Sequence, residues 1–323
     1  MNATVYPHPI GYTKTILHPV IVSKYPIYRW FYYAYQFTVL SLGSVGNVLI
    51  VFVMSTRKLR RLSYSRFFIA LAISDFIFLT THMWTLVNTL CFHINGSICI
   101  PVNSWFLCAG QQFYNNTTSC YGPSLLIMIG VERLCIIRFP FSGPSFWTPT
   151  KTSLTAFLTF VICAGISLFL LTVNSYDDIH GCYLSDPTLM TVTYLFIVTI
   201  QGFNPTLSLI FITACIFYSM NQMKKKVENS KSNSSANQAT IMVASVCVFF
   251  IVTSIPLCVI LVLIYLIPGV NQTLDFPYQL SALIQSLNYS MNFYLYIYFG
   301  REIRRQFLVM CGGVCASACC AAK

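Results

Sequence analysis

The sequence contains seven stretches that are each long and apolar enough to cross a lipid bilayer as a helix. This feature constrains the fold most, because a spanning helix needs about 20 mainly apolar residues and lipid offers the backbone no hydrogen-bond partners. Asp75 is the single acidic residue within the stretches, which contain neither lysine nor arginine. The stretches cover residues 31–54, 67–91, 105–131, 152–173, 189–220, 240–267 and 276–299.

We therefore predict an all-α membrane protein built as a bundle of seven transmembrane helices. Charged residues make up only 8% of the chain, against about 25% in soluble domains, so lipid must be the solvent for much of its surface. The predicted parts are an extracellular segment over residues 1–30, the bundle over 31–299, and a short amphipathic helix with a cysteine-rich tail over 300–323.

Basic residues are distributed very unevenly between the two sides of the predicted bundle. Sixteen of the 19 lysines and arginines lie on one side, and only Lys14, Lys24 and Arg29 lie on the other. Because basic residues favour the cytosolic side, we expect a multi-pass plasma membrane protein with its N-terminus outside and its C-terminus in the cytosol. The net charge of +11 then favours anionic inner-leaflet lipid as a partner, and no nucleic-acid partner is expected.

The segments outside the bundle carry candidate modification sites. Three Asn-X-Ser/Thr sequons in predicted extracellular segments are candidates for glycosylation. Residues 301–308 alternate basic and apolar side chains, as a helix lying on the membrane does, and four cysteines follow as candidates for palmitoylation. Plain reduced cysteines in a tail would give the same pattern. The residues are Asn2, Asn95 and Asn271 for glycans, and Cys311, Cys315, Cys319 and Cys320 for palmitate.

Glu132 and Arg133 close the predicted third span. A charge there is costly unless it faces the bundle interior or water, although arginines at helix ends also serve as simple interfacial anchors. Cys108 lies 25 residues before Arg133, which is about 37 Å along a helix, so the two belong at opposite membrane faces. A disulfide from Cys108 to Cys182 would tie the outer loop to the third span; Cys99 is a rival partner, and sequence alone does not fix the pairing.

Asp75 is a lone carboxylate in the middle of the second span. A buried carboxylate is costly in lipid, so a functional role is the first interpretation. Asn47, Asn288 and Asn292 could hydrogen-bond around it, and a sodium ion could neutralise its charge there. A protonated aspartate with a purely structural role is the alternative.

These residues, taken in order with the prolines of the fifth and sixth spans, resemble the rhodopsin-like (class A) family of G-protein-coupled receptors. Each motif is short, but their joint order and spacing are specific, and the resemblance extends from about Phe31 to Phe307. The motifs are Gly46-Asn47, Leu71-Ala72-Ile73-Ser74-Asp75, Cys108, Glu132-Arg133, Pro205, Pro256 and Asn292-Phe293-Tyr294-Leu295-Tyr296.

The resemblance implies a receptor that binds an extracellular ligand and activates a heterotrimeric G protein, and that is not an enzyme. Arg133, next to Glu132, would engage the G protein and lock the resting state, and Tyr296 would swing inward on activation. An allosteric sodium ion beside Asp75 is the one cofactor implied, with Asn47, Asn288 and Asn292 around it.

The chain also departs from the family pattern. Phe293 stands where the family usually has proline, a replacement that resembles invertebrate neuropeptide receptors of the FMRFamide and myosuppressin type. Thr253 and Ser254 replace the usual cysteine and tryptophan before Pro256, so Phe250 is the nearest substitute for the usual aromatic switch. Gly122 replaces the usual serine of the sodium pocket.

Two positions exclude ligand classes. Asn115 stands where amine receptors have an aspartate, and Ser286 stands where opsins have their lysine, so we expect neither a monoamine nor retinal. Amides and aromatic rings in the outer half, with aspartates at its mouth, favour a short peptide with a basic residue; a small chemosensory ligand is the alternative. The candidate pocket residues are Gln111, Gln112, Asn115, Trp84, Tyr194, Gln201, Tyr265, Tyr278, Gln285, Asp177 and Asp178.

Two other classes of membrane protein fit this sequence less well than a receptor does. A transporter or channel would be expected to carry several ionisable residues along a path, and the spans hold one aspartate. An enzyme would need a nucleophile with its base or a metal cluster, and of the five histidines only His82 lies in a span. A receptor is therefore the preferred interpretation.

Overall fold

The computed structural model describes residues 26–95, 105–139, 142–169, 171, 174–177, 181–184, 192, 195–226, 234–267 and 271–321. Within them, six helices are long and apolar enough to cross a membrane by length and composition. In chain order we call them the first to sixth spans. They are Pro26–Met54, Ser63–Asn95, Trp105–Arg138, Pro149–Ser167, Asn204–Lys226 and Ser234–Leu266.

The seventh span is made of two successive helices, Asn271–Ser290 and Asn292–Phe299. Each part alone is too short or too polar to qualify as a spanning helix. The interruption falls at Met291, which has φ −90° and ψ −5°, away from regular helical values. The helix Arg301–Ala321, which we call the surface helix, follows directly. The predicted bundle with a helix after its last span is confirmed.

Several spans end elsewhere than the hydrophobic pattern predicted. The second and third spans extend to Asn95 and Arg138, because polar residues at helix ends can still satisfy their backbone in a helix outside the lipid. Glu132 and Arg133 therefore lie within the third span with more than a turn after them. The fourth span stops at Ser167, short of the predicted 173. A π-helix over Ile197–Phe203 directly precedes the fifth span, just before Pro205.

A small hairpin lies between the fourth and fifth spans, in a connection for which the sequence analysis predicted no particular structure. Strand β1, Asn174–Asp177, pairs antiparallel with strand β2, Gly181–Leu184. Three residues connect them, a length suited to a hairpin, and both strands contact the third span. The hairpin is an addition to the predicted helical bundle, and its strand β2, which carries Cys182, contacts the span that carries Cys108.

Two shorter helical segments connect the spans at the other end. A single 3-10 turn, Leu59–Arg61, joins the first and second spans, and the helix Gly143–Phe146 precedes the fourth. Leu59 is fully buried, and its carbonyl accepts a hydrogen bond from the Ser65 hydroxyl at 2.7 Å. These contacts fix the first connection to the start of the second span.

Candidate functional site

Arg133 is buried at the end of the bundle where the basic residues concentrate, with 5% of its surface exposed. Its Nη2 lies 3.5 Å from Oε1 of Glu132, and its guanidinium carbon lies 4.4 Å from the ring centroid of Tyr64. The Glu132 carboxylate also accepts a hydrogen bond from Ser63. The start of the second span therefore holds both members of the charged pair inside the bundle.

This arrangement leaves several polar atoms unused. Among the described residues, Arg133 Nε, Glu132 Oε2 and the Tyr296 hydroxyl are buried without a hydrogen-bond partner. Unpaired buried polar atoms are costly, so they favour a rearrangement in which they gain partners. Tyr296 is 1% exposed and packs on Phe68 at 4.5 Å between ring centroids. Among the predicted switch residues, Glu132, Arg133 and Tyr296 therefore each have unused hydrogen-bonding capacity in this conformation.

Asp75 is 2% exposed and bonds directly to the seventh span. Its Oδ2 accepts a hydrogen bond of 2.7 Å from Nδ2 of Asn292, in the first turn after the interruption at Met291. A Cβ atom on Gly122 would lie 3.6 Å from Asp75 Oδ1, an ordinary contact distance. A serine would therefore fit at Gly122, as in the family pattern, with its hydroxyl near the carboxylate.

The two other asparagines of the predicted sodium pocket bond elsewhere. Nδ2 of Asn47 donates to the Tyr289 carbonyl at 2.9 Å, and Asn288 bonds to the sixth span through both atoms of its amide. Of the predicted set, only Asn292 contacts Asp75 in this conformation. Gly122 contributes no side-chain oxygen to this site. The sodium ion stays a prediction.

Thr253 and Ser254 form a polar contact between the sixth and seventh spans. Thr253 donates to Oδ1 of Asn288, and Nδ2 of the same amide donates to Ser254 at 3.1 Å. All three residues are buried. Phe250, the expected aromatic substitute, lies one turn away in the apolar core. The residues that replace cysteine and tryptophan thus form a hydrogen-bonded link, which we call the Asn288 link.

Phe293 fills the position where the family usually has proline. It is 8% exposed, and its ring lies 5.4 Å from that of Phe307 on the surface helix. Its Cβ lies 3.1 Å from where a Cβ on Gly46 would stand. The seventh span is thus interrupted without a proline at 293, and the phenyl ring packs the span against its neighbours.

In the outer half, two predicted pocket amides bond to threonines of the second span. Asn115 Oδ1 accepts from Thr81 at 2.8 Å, and Gln111 Nε2 donates to Thr85 at 3.1 Å. Gln112 is buried, and its backbone carbonyl accepts from the Asn116 side chain at 2.8 Å. The side-chain amides of Gln111 and Asn115 therefore have partners inside the protein, which the sequence pattern did not reveal.

The other predicted pocket residues are less fully placed. Trp84, Tyr278 and Gln285 are half-buried in the second and seventh spans. Asp177 lies in β1, Gln201 lies in the π-helix before the fifth span, and Tyr265 lies in the sixth span. Only the backbone of these three residues is described. Tyr194 and Asp178 lie outside the described residues altogether.

Cys108 and Cys91 are both disulfide-bonded. Cys99 lies outside the described residues, and of Cys182 only the backbone, in β2, is described. The pairing of Cys108 with Cys182 therefore stays a prediction, supported by the contact between β2 and the third span.

The candidate modification sites lie at the edges of the helical elements. Asn95 ends the second span, and Asn271 begins the seventh, whereas Asn2 lies outside the described residues. Cys311 is exposed on the surface helix. The same helix carries Cys315, Cys319 and Cys320, of which only the backbone is described.

An ion pair that the sequence did not predict ties the surface helix to the bundle. Lys58 Nζ lies 2.8 Å from Oε1 of Glu302, and Gln306 donates to the same oxygen at 3.0 Å. These two hydrogen bonds lower the pKa of Glu302 below its usual value of 4.5. The carboxylate therefore stays charged at neutral pH, although such exposed pairs contribute little stability.

Comparison with known proteins gives one family match. A family model described as "7 transmembrane receptor (rhodopsin family)" matches residues 46–296, which include the Asp75 site, Arg133, the Asn288 link and Tyr296. A search of curated proteins gave no match.

Proposed function

Because the chain belongs to the rhodopsin family of seven-transmembrane receptors, we propose that it is activated by a short extracellular peptide bound in the outer half of the bundle. Members of this family are plasma membrane receptors that act on heterotrimeric G proteins. The observation that carries the receptor mechanism is the burial of Arg133 against Glu132 and Tyr64. A guanidinium held in this way can be released toward a G protein when the spans move.

Two features support a peptide ligand. Aspartates at the predicted mouth, including Asp177, complement a basic residue of the ligand, and such charge complementarity speeds and selects association. The half-buried rings of Trp84 and Tyr278 offer apolar surface for an aromatic or amidated end. The resemblance of the Phe293 motif to FMRFamide-type receptors supports the same class. We place the outer half outside the cell on the charge distribution alone.

One observation favours a smaller ligand as the second candidate. Gln111 and Asn115 already bond to Thr85 and Thr81, so a ligand would need to break these bonds to use the amides. A small, mainly apolar chemosensory ligand would leave them intact.

The two candidates separate in a ligand screen. Cells that express the receptor with a promiscuous G protein would be exposed to a panel of amidated peptides and a panel of small metabolites, with calcium release as the readout. We expect responses to peptides with a basic residue and an aromatic or amidated end. Silence across the peptides with a response to metabolites would replace the peptide by the second candidate, and silence to both would contradict the receptor mechanism for these ligand classes.

We infer that the Asn288 link restrains activation, because it joins the sixth span to the seventh, and any separation of these two spans would break its hydrogen bonds. Replacing Thr253 by valine keeps the shape but removes a hydrogen bond worth about 1 kcal/mol. We therefore expect the ligand-independent activity of Thr253→Val to rise about fivefold, measured as nucleotide exchange on a reconstituted G protein.

Thr117→Val is the matched control for this prediction. The Thr117 hydroxyl is equally buried but has no hydrogen-bond partner among the described residues, so its removal should leave basal exchange unchanged. Equal activity in Thr253→Val and the wild type would show that the link does not restrain the sixth span.

A further inference from the structure

Three arginines line one open cavity of about 510 Å³ at the end of the bundle that carries Arg133. Arg60 and Arg61 come from the 3-10 turn between the first two spans, and Arg66 comes from the second turn of the second span. None of the six lining residues is acidic. The complete lining is Ser55, Arg60, Arg61, Arg66, Ile69 and Pro149.

The backbone around these arginines is held in place. Leu59, next to Arg60, is fully buried, and Ser65, next to Arg66, bonds to its carbonyl at 2.7 Å. Trp147, two residues before Pro149, packs against Phe67 with ring centroids 6.0 Å apart. The cavity is therefore built on fixed elements, and the arginines do not belong to a free loop.

The cavity favours an anion for two further reasons. Arg66 Nε is buried without a hydrogen-bond partner among the described residues, so no described acceptor compensates this part of the guanidinium. Pro149 is the first residue of the fourth span, so the cavity lies at the positive end of a 19-residue helix, where anions bind favourably. Guanidinium groups also match phosphate oxygens with paired hydrogen bonds.

The position of the cavity indicates where the phosphate comes from. The second and fourth spans both begin beside it, at Ser63 and Pro149, which is the level of the lipid headgroups. Ile69 lines the cavity one turn deeper along the second span and gives it an apolar wall on that side. A phosphate on a lipid can occupy such a site with its glycerol directed toward the membrane.

We propose that this cavity binds the phosphorylated headgroup of an inner-leaflet lipid, as a site separate from the ligand pocket and from Arg133. Basic pockets between spans on the cytosolic side are suited to such headgroups. Bound lipid would bridge the first connection to the start of the fourth span. This site does not depend on the ligand proposed above.

The test compares lipid retention by purified receptor in vesicles of neutral phosphatidylcholine. One set contains phosphatidylinositol bisphosphate, and the other contains phosphatidylserine at matched surface charge. Lipid that remains bound after detergent extraction is counted by native mass spectrometry. We expect wild-type receptor to retain the phosphoinositide, and Arg60→Gln with Arg61→Gln to lower its apparent affinity about fivefold for each arginine removed.

Arg57→Gln is the matched control. Arg57 is an exposed arginine three residues before Arg60 and does not line the cavity, so its loss removes one charge from the same surface, as Arg60→Gln alone does. A loss in Arg57→Gln equal to the loss in Arg60→Gln alone would show general surface attraction and overturn the proposal. Equal retention of phosphatidylserine and phosphoinositide by the wild type would overturn it as well.

Two further arms identify the source of the phosphate. Soluble inositol phosphate should displace the lipid, whereas inorganic phosphate at the same concentration should not; equal displacement by both would reassign the cavity to free phosphate. Arg66→Gln should weaken retention in the same way. Because Arg60 and Arg61 are exposed, their replacement should leave the fold intact. The Arg60→Gln/Arg61→Gln variant is therefore sufficient for the test if the half-buried Arg66 does not tolerate substitution.

Discussion

Arg133→Leu is expected to abolish nucleotide exchange on a G protein, and Tyr64→Leu is expected to raise the ligand-independent rate. In the structure, Arg133 is held between the Glu132 carboxylate at 3.5 Å and the Tyr64 ring at 4.4 Å. Leucine at 133 removes the group proposed to bind the G protein, so we expect activity to fall at least about a hundredfold, the loss of one buried charged contact.

Tyr64→Leu should raise the activity, because it favours the released position of Arg133 over the inward position. A cation–π contact contributes about 0.5–2 kcal/mol, depending on desolvation, and here it stabilises only the inward position of Arg133. Removing it shifts the population toward the released position by the same free energy. We therefore expect basal exchange to rise about twofold to thirtyfold, measured with reconstituted G protein and no ligand.

Two controls make the comparison specific. Arg57→Leu removes an exposed arginine from the same end of the bundle, and Tyr218→Leu removes a tyrosine that is 59% exposed on the fifth span. Neither should change exchange. If Tyr64→Leu lowered the basal rate while the protein kept its melting temperature, the contact would belong to the active state and the proposed lock would be wrong.

The sequence was sufficient for the parts of this mechanism that depend on hydrophobicity and charge. The seven apolar stretches predict the bundle because lipid leaves an unpaired backbone no alternative. Glu132 and Arg133 could be identified because charged residues at the end of an apolar helix are energetically costly and usually have a function. The match over residues 46–296 confirms the family that their spacing indicated.

The contacts between spans could not be predicted in the same way. The sequence does not indicate that Tyr64 contacts Arg133, since an aromatic residue at the start of a span is ordinarily an interfacial anchor. Asn288 was expected beside Asp75, but its amide bonds to Thr253 and Ser254, because an asparagine on a helix has several neighbours and the sequence does not say which one it meets. Asn115 has an internal partner in Thr81 for the same reason.

The interruption of the seventh span shows a further limit. Without proline at 293, hydrophobicity alone predicts a continuous helix over 276–299. The structure instead breaks the helix at Met291, one residue before Asn292 bonds to Asp75. We interpret the break as a consequence of that bond together with the close approach of the first span at Ser290, neither of which is visible in a local stretch of sequence.

That close approach leads to the second large effect, on folding. A Cβ atom on Gly43 would lie 2.4 Å from Cβ and 2.7 Å from Cα of Ser290. The Cα belongs to the backbone of the seventh span and cannot rotate away, so the first and seventh spans would have to separate. Overpacking of this kind costs about 1–3 kcal/mol or more, and we expect Gly43→Ala to lower both surface expression and the melting temperature of the purified receptor.

Gly165→Ala provides the matched control, because it adds the same methyl group to a glycine inside another span. No atom lies within 4 Å of the Cβ position at Gly165, and alanine favours helix over glycine by about 0.5–1 kcal/mol, so this variant should melt at the same temperature or higher. A Gly43→Ala protein as stable as Gly165→Ala would mean that the first and seventh spans are farther apart than described. The contacts of Asn47 with Tyr289 and of Gly46 with Phe293 would then also be wrong, because they depend on the same close packing of the first span against the seventh.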